Sequence, residues 1–393
     1  MRGMWGAAAV AAAVTVVLGA GPGVAGAAAQ AAAVQWAQVS AGYHDTCAVQ
    51  TGHTLWCWGA GKQGQLGDGS TTSQDSPVRV GARAGWTQAA VGLGHACAVR
   101  KDGTAWCWGL ANSGDLGNGT TTGQYDRPVQ VGGGGDYTAI SAGDSDACAI
   151  RTDGTLWCWG DDEFGELGNG TVTSSESTPV QAGTAVDWTS VSASGQNSFV
   201  CGVQADHSAW CWGYDGWGNL GNGTETSSDT PVQVSGGDVW TSVSAGSESA
   251  CGTRTDGTVW CWGANSFDET GRSGNALEPS PVQVGTRTGW TAVSAGIAAC
   301  ALYGPTTLWC WGSNFSGQIG QGVTGHEYPN PRIVGTSANW IRVSAGAGDV
   351  NEGRSSVCGI QSGWSLWCWG DNQEGQLGLG TTGGSKNTPQ QVG

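Results

Sequence analysis

The chain has 393 residues, among them 71 Gly, 14 Cys and 23 Trp, and 31 acidic against 15 basic side chains leave a formal charge of −16. So much Trp and Cys is not the composition of a disordered acidic protein. The sign of the charge excludes binding to nucleic acid through phosphate contacts.

At the start of the chain, Arg2 precedes an uncharged run from Gly3 to Ala33, with an apolar centre at Ala7 to Leu18 and small-x-small triplets such as Ala25-Gly26-Ala27. This pattern predicts a secretory signal peptide over residues 1–31, because the apolar centre is short for a membrane span of about 20 residues. No second apolar stretch follows, so the mature chain is expected to carry no membrane span and to act outside the cytoplasm, secreted or at the cell envelope.

Residues 32–393 read as one domain of seven repeats. Aromatic residues recur at Trp36, Trp86, Tyr137, Trp188, Trp240, Trp290 and Trp340, a period of 50 to 52. Each is followed by a small-residue strand such as Val39-Ser40-Ala41-Gly42, then Cys-Ala-Val, a turn, Leu-Trp-Cys-Trp-Gly, a Gly-rich loop and Pro-Val-x-Val. A fixed period near 50 with turn residues at fixed offsets indicates radial repetition of an all-β unit, and no segment has a helical period. Four short strands per repeat predict a four-stranded blade, and seven blades a β-propeller. The final Pro389-Gln390-Gln391-Val392 reads as a surplus strand, expected to complete the first blade beside Val39–Gly42, so that N- and C-terminal strands share one blade and close the ring. An open solenoid would leave exposed sheet edges at both ends.

Trp-x-x-Val-Ser-Ala-Gly, Asp-Gly-Thr-Leu-Trp-Cys-Trp-Gly and Gly-Gln-Leu-Gly-x-Gly resemble the regulator-of-chromosome-condensation repeat over residues 36 to 393. The resemblance implies a seven-bladed propeller. That family includes a nuclear guanine-nucleotide exchange factor, a plant ultraviolet-B receptor and a secreted bacterial inhibitor of β-lactamases, so it leaves the function open. The receptor's Gly-Trp-Arg-His-Thr signature is missing at Tyr43-His44-Asp45.

The fourteen cysteines fall in pairs ten apart: Cys47 with Cys57, Cys97 with Cys107, Cys148 with Cys158, Cys201 with Cys211, Cys251 with Cys261, Cys300 with Cys310 and Cys358 with Cys368. In the third repeat, a three-residue loop at Thr152-Asp153-Gly154 sets Arg151 opposite Thr155, and counting outward sets Cys148 opposite Cys158. Opposite Cα atoms lie about 4.5 to 5.5 Å apart, within reach of a disulfide. One cross-strand bridge per blade is therefore expected. The spacing matches no zinc site, and the bridges imply an oxidising compartment.

Fourteen tryptophans flank the second cysteine of each pair and six begin a repeat, which assigns them to packing between blades. His44 and His95, at the position after the small-residue strand, are likewise expected to be structural. Gly59-Ala60-Gly61-Lys62-Gln63-Gly64 matches G-x-G-x-x-G, but no helix follows to receive a phosphate.

If strands alternate in direction, the loops after Ser-Ala-Gly and after Trp-Cys-Trp-Gly share one face, which holds 24 acids and 5 bases; the hairpins and inter-repeat links share the other, with 7 acids and 6 bases. The first face would steer basic surfaces toward it. On the same loops, the residue before the Gly-x-Leu-Gly element is Gln63, Ser113, Phe164, Trp217, Phe267, Ser316 and Glu374. Phe164, Trp217 and Phe267, with Tyr214 and Phe315 close by, have the composition of a protein-binding hot spot, although each ring could instead pack on the adjacent blade. The loop Ala347–Val357 has eleven residues where most repeats have four; its Asp349, Glu352 and Arg354 are further candidate contacts. Asp161, Asp162 and Glu163, with Glu166, are a candidate calcium site, because hard divalent ions take carboxylate oxygens.

These observations point to a secreted, non-enzymatic, monomeric propeller that binds an extracellular protein through its acidic long-loop face, as inhibitor or scaffold. A carbohydrate- or cell-wall-binding propeller is the alternative, and an enzyme with its site at the central mouth of the ring is a third reading.

Overall fold

The computed structural model describes residues 34–393 apart from Asp238, Ser337, Ala338, Asp349 and Val350. The expected signal peptide lies outside the described residues. Among those residues the strands form seven antiparallel four-stranded sheets, each built from four consecutive strands, with no helix. The first blade is Trp36–Ala41, Asp45–Gln50, Leu55–Gly59 and Gln74–Arg79. No helix in the described residues is long and apolar enough to cross a membrane.

The hairpin count sets the register of every blade. Cys148 stands opposite Cys158 and is bonded to it. The other six expected bridges are formed in the same way: Cys47 to Cys57, Cys97 to Cys107, Cys201 to Cys211, Cys251 to Cys261, Cys300 to Cys310 and Cys358 to Cys368. The bridges depart from the expected geometry only in their spacing. Cys57, Cys107, Cys158, Cys211, Cys261, Cys310 and Cys368 each lie 4.0 to 4.1 Å, Cα to Cα, from their partners, closer than ordinary opposite residues, because the covalent link draws the two strands together. Each bridge closes a short loop and contributes about 2–3 kcal/mol in the chain-entropy account. At the end of the third strand, Gly59 has φ +103°, and a Cβ there would strike the carbonyl of His44. Glycine with positive φ stands at the same place in all seven blades, turning the chain out of the strand into the long loop.

The ring does not close by strand exchange. The last strand, Lys386–Gln391, pairs with Leu366–Gly370, and the first blade carries its own outer strand with Pro77-Val78-Arg79-Val80. There are seven such segments for seven blades, so none is surplus. Blades 7 and 1 instead meet face to face: Val392 shares one buried cluster with Trp36 and Trp58.

Two belts of hydrogen bonds run round the ring. In the outer belt, the second indole of each Trp-Cys-Trp donates to a loop carbonyl of the preceding blade: Trp58 Nε1 to Gln376 O at 2.9 Å across the closure, Trp108 to Gln65 at 2.7 Å, Trp212 to Glu166 at 2.8 Å, and so on through all seven. The same rings pack edge to face or tilted against the aromatic that opens their blade, as in Trp36–Trp58 at 5.9 Å. The tryptophans assigned from sequence to packing do that work.

The inner belt uses serine. Ser344 Oγ accepts the Ala41 N–H at 2.9 Å, Ser40 Oγ accepts that of Val91 at 3.1 Å, and Ser141, Ser192, Ser244 and Ser294 repeat the contact. Blade 2 has Ala90 instead, so the Ala142 N–H meets no such hydroxyl. We expect Ala90→Ser to complete the belt and stabilise the protein by about 0.5–1.5 kcal/mol, measured by denaturant unfolding; an unchanged or lower midpoint would show that the belt contributes nothing.

Candidate functional site

Consecutive antiparallel pairing puts the loops between first and second strands, and between third and fourth strands, on one face of the ring. The Gly-x-Leu-Gly element holds each long loop in place. Leu66, Leu116, Leu167, Leu220, Ile319 and Leu377 anchor it, all at 0% exposure. The residue before the Leu position accepts the N–H two residues back, as in Gln376 Oε1 from Glu374 N at 2.9 Å and Glu166 Oε2 from Phe164 N at 2.7 Å. That bond turns the residue preceding the element, the position of Phe164, Trp217 and Phe267, outward.

Burial changes how the acids of this face behave. Asp45, Asp144, Asp146, Asp161, Asp162, Glu248, Asp268 and Asp371 are pushed upward in pKa by loss of solvent, Asp215 to about 6, Glu166 to about 7, and Asp115 and Glu269 to about 8. The carboxylates held low are on the other face: hydrogen bonds from the Thr or Ser two residues on lower Asp102, Asp153, Asp206 and Asp256. The long-loop face therefore holds most of the acids but expresses less than its formal charge at neutral pH. His95, fully buried and lowered to about 4 by desolvation, lies 3.7 Å from Asp115. At pH 7 the imidazole is neutral and the carboxyl largely protonated, so this is a contact between two neutral groups. It agrees with the structural role expected for His95.

Four of the five aromatic candidates form two pairs. Phe164 of blade 3 meets Tyr214 of blade 4 edge on, with centroids 5.0 Å apart, and Phe267 of blade 5 meets Phe315 of blade 6 at 6.1 Å. Packing on the adjacent blade is thus real for these four, but it leaves Phe164 and Phe315 42% and 41% exposed, and Trp217 is 39% exposed. Phe164 also borders a cavity of about 360 Å3 with Val172 and Asp229. Sequence reasoning missed Val172, which is 59% exposed; its signal is an apolar residue in an otherwise polar loop.

The long loop of blade 7 does something the sequence did not suggest. Ser247 Oγ of blade 5 donates to the Ala347 carbonyl at 2.7 Å, and Ser313 Oγ and Gln318 Nε2 of blade 6 donate to the Gly353 carbonyl at 2.6 and 2.8 Å. Gly195 of blade 4 leaves room for Ala347, and Gly353 lies against Phe315 and Phe267. The insertion thus reaches over the mouth of the central channel to three other blades. Glu352 and Arg354 pair with each other at 3.3 Å, while Asp349 lies outside the described residues. Below, a channel cavity of about 130 Å3 is lined by the first strands of all seven blades, chiefly Ser, Ala and Gly. Its serine hydroxyls accept the backbone N–H groups of the inner belt.

The calcium expectation needs correcting. Among the described residues no three or more His, Cys, Asp or Glu side chains are grouped to hold a metal ion. Asp162 is buried and bonded to its own loop: it accepts from Leu167 N at 3.2 Å and from Thr173 N and Oγ1 at 3.2 and 3.1 Å. Asp161 is half-buried and Glu163 exposed, so the three neighbours in sequence do not share one environment.

A family model of the RCC1-like domain matches residues 29–350, and one of the regulator of chromosome condensation (RCC1) repeat matches residues 365–393. The ultraviolet-B receptor UVR8 of Arabidopsis thaliana is 27% identical over 215 residues, 53% of this chain and 48% of the receptor, so the chain spans about half the length of that relative. Among solved structures, human WBSCR16 superposes with a TM-score of 0.77 at 19% identity, covering 86% of this chain and 94% of that one. Prp20p from Saccharomyces cerevisiae, described together with its binding properties to Gsp1p and histones, superposes with a TM-score of 0.76 at 16% identity, covering 91% and 87%. At these identities the likeness shows the fold alone.

Proposed function

Because the chain belongs to the RCC1-like family of seven-bladed propellers, we propose that it is a non-enzymatic protein-binding propeller that recognises an extracellular protein through its long-loop face. The observation that carries this reading is the half-exposed set Phe164, Trp217 and Phe315. All fourteen Trp-Cys-Trp indoles bond within the scaffold, the first of each pair to the Thr or Ser hydroxyl two residues before it and the second to the preceding blade, whereas these three rings stand in loops of blades 3, 4 and 6 on the face that carries most of the acids. Large rings half out of water next to polar rims are what interface hot spots are made of. Seven disulfides suit an oxidising compartment, which supports secretion and a partner outside the cell. The contact would serve inhibition or scaffolding by a monomer.

The test is a triple variant, Phe164→Ala, Trp217→Ala and Phe315→Ala, compared with the parent as bait for cross-linked capture from the extracellular fraction. The expected result is an unchanged unfolding midpoint and at least a tenfold loss of a reproducibly captured protein. Capture that survives all three substitutions removes this face from consideration. Binding of the parent, but not the variant, to a glycan array would instead establish carbohydrate recognition at the same rings.

A further inference from the structure

The outer wall of the ring carries a repeated arrangement that blade 4 leaves open. In four blades a guanidinium lies over the first indole of the Trp-Cys-Trp segment: Arg83 over Trp106 at 4.4 Å, Arg151 over Trp157 at 3.8 Å, Arg254 over Trp260 at 3.9 Å and Arg287 over Trp309 at 4.7 Å. Arg151 and Arg254 hold the last position of the second strand and also cover the aromatic that opens the blade, Tyr137 and Trp240. Arg100 holds that position in blade 2, where it meets a carboxylate two residues on: Asp102 accepts Arg100 Nη1 on Oδ2 at 2.7 Å and Thr104 on Oδ1 at 2.6 Å.

Gln204 takes this position in blade 4, Gln361 in blade 7 and Gln50 in blade 1. Blades 4 and 7 each show an open groove there. In blade 4 it has about 310 Å3 and is bordered by Trp188, Gln204, Trp210, Thr230 and Pro231. In blade 7 it has about 630 Å3 and is bordered by Trp340, Gln361, Trp367, Thr388 and Pro389. The residues correspond one to one. The hairpins differ: blade 4 keeps Asp206, whose Oδ1 accepts Ser208 N and Oγ as Asp102 Oδ1 accepts Thr104, whereas blade 7 has Gly363. Blade 4 thus has the two rings and the carboxylate without the arginine.

We propose that the blade 4 groove receives an arginine side chain from a partner protein, its guanidinium stacked on Trp210 and its N–H groups turned to Asp206. The four filled blades supply the stacking half of the template, and the Arg100–Asp102 pair of blade 2 supplies the carboxylate half. A planar cation stacks on an indole while forking to a carboxylate, which neither an apolar side chain nor a neutral amide can do. At the groove itself the negative charge is that of Asp206, whose carboxyl is held ionised by hydrogen bonds from Ser208, and it favours a basic side chain over an acidic one. This site lies away from the long-loop aromatics and stands or falls independently of the proposed function.

The experiment uses the disulfide-bonded protein with 15N-labelled indoles, titrated with the capped peptide Gly-Arg-Gly and with the same peptide carrying citrulline, which keeps the shape and loses the charge. The expected result is a saturable shift of the Trp210 indole resonance with the arginine peptide and at least tenfold weaker binding of the citrulline peptide. Gln204→Arg should fill the groove from within, abolish the shift and raise Tm. Asp206→Asn, whose amide oxygen still accepts from Ser208 and so preserves the turn, should weaken binding severalfold. Equal binding of both peptides, a shift spread over all indoles, or an unchanged titration in folded Gln204→Arg and Asp206→Asn proteins would overturn the proposal.

Discussion

Gly168→Ala is expected to destabilise the protein by about 3–5 kcal/mol, read as a shift in the denaturant midpoint. Gly168 has φ +65°, and a Cβ there would come within 2.7 Å of Trp212 Nε1 and 2.8 Å of Trp212 Cδ1. Trp212 is fully buried, and its Nε1 donates to the Glu166 carbonyl at 2.8 Å, the one bond of the outer belt that ties blade 4 to blade 3. Two costs therefore add: a left-handed conformation without glycine, and a displaced indole whose buried N–H loses its acceptor. Gly119 separates them, because it has φ +89° with nothing within 4 Å of a Cβ. Gly119→Ala should show only the conformational cost, about 1–2 kcal/mol. If the two substitutions cost the same, the contact between glycine and indole contributes nothing.

Glu269→Gln should raise stability at pH 9 by about 1–3 kcal/mol and leave it nearly unchanged at pH 5. Glu269 is 3% exposed, and desolvation raises its pKa from 4.5 to about 8. The folded state therefore binds the proton more tightly than the unfolded one. The associated stability is present in full below about pH 4.5 and is lost as pH rises to about 8 and beyond. The equivalent position is Gln318 in blade 6 and Gln376 in blade 7, where the amide oxygen accepts the loop N–H and the amide nitrogen donates, to Gly353 O at 2.8 Å or Asp371 Oδ2 at 2.8 Å. A carboxyl can supply that donor only while protonated; an amide supplies it at every pH. Unfolding curves of parent and variant at pH 5, 7 and 9 check this. A gain of equal size at all three values would trace the effect to packing instead of proton binding.

Both substitutions act on the loops that display the aromatic candidates, which explains why part of the site was legible in advance. The outward position of Phe164, Trp217 and Phe267 follows from a local turn with a fixed offset to a buried Leu or its counterpart, and the alignment of repeats shows it. What the rings meet is not local. Phe267 is covered by Phe315 and by Gly353, which comes from two blades away. The calcium reading failed for the same reason: three carboxyls adjacent in sequence are separated by burial, which sequence adjacency does not reveal.

From sequence alone came the blade, its seven copies and the pairing of every cysteine, because strand period, hairpin length and cross-strand register are set within about 25 consecutive residues. Only the tertiary structure decided how blade 7 meets blade 1, which carboxyls keep their protons, and where the long insertion of blade 7 comes to rest. It also decided which Trp faces are covered and which open. These properties depend on what a neighbouring blade brings within a few ångströms, through desolvation, side-chain contact and hydrogen bonds between residues 40 to 330 positions apart, and no local pattern records them.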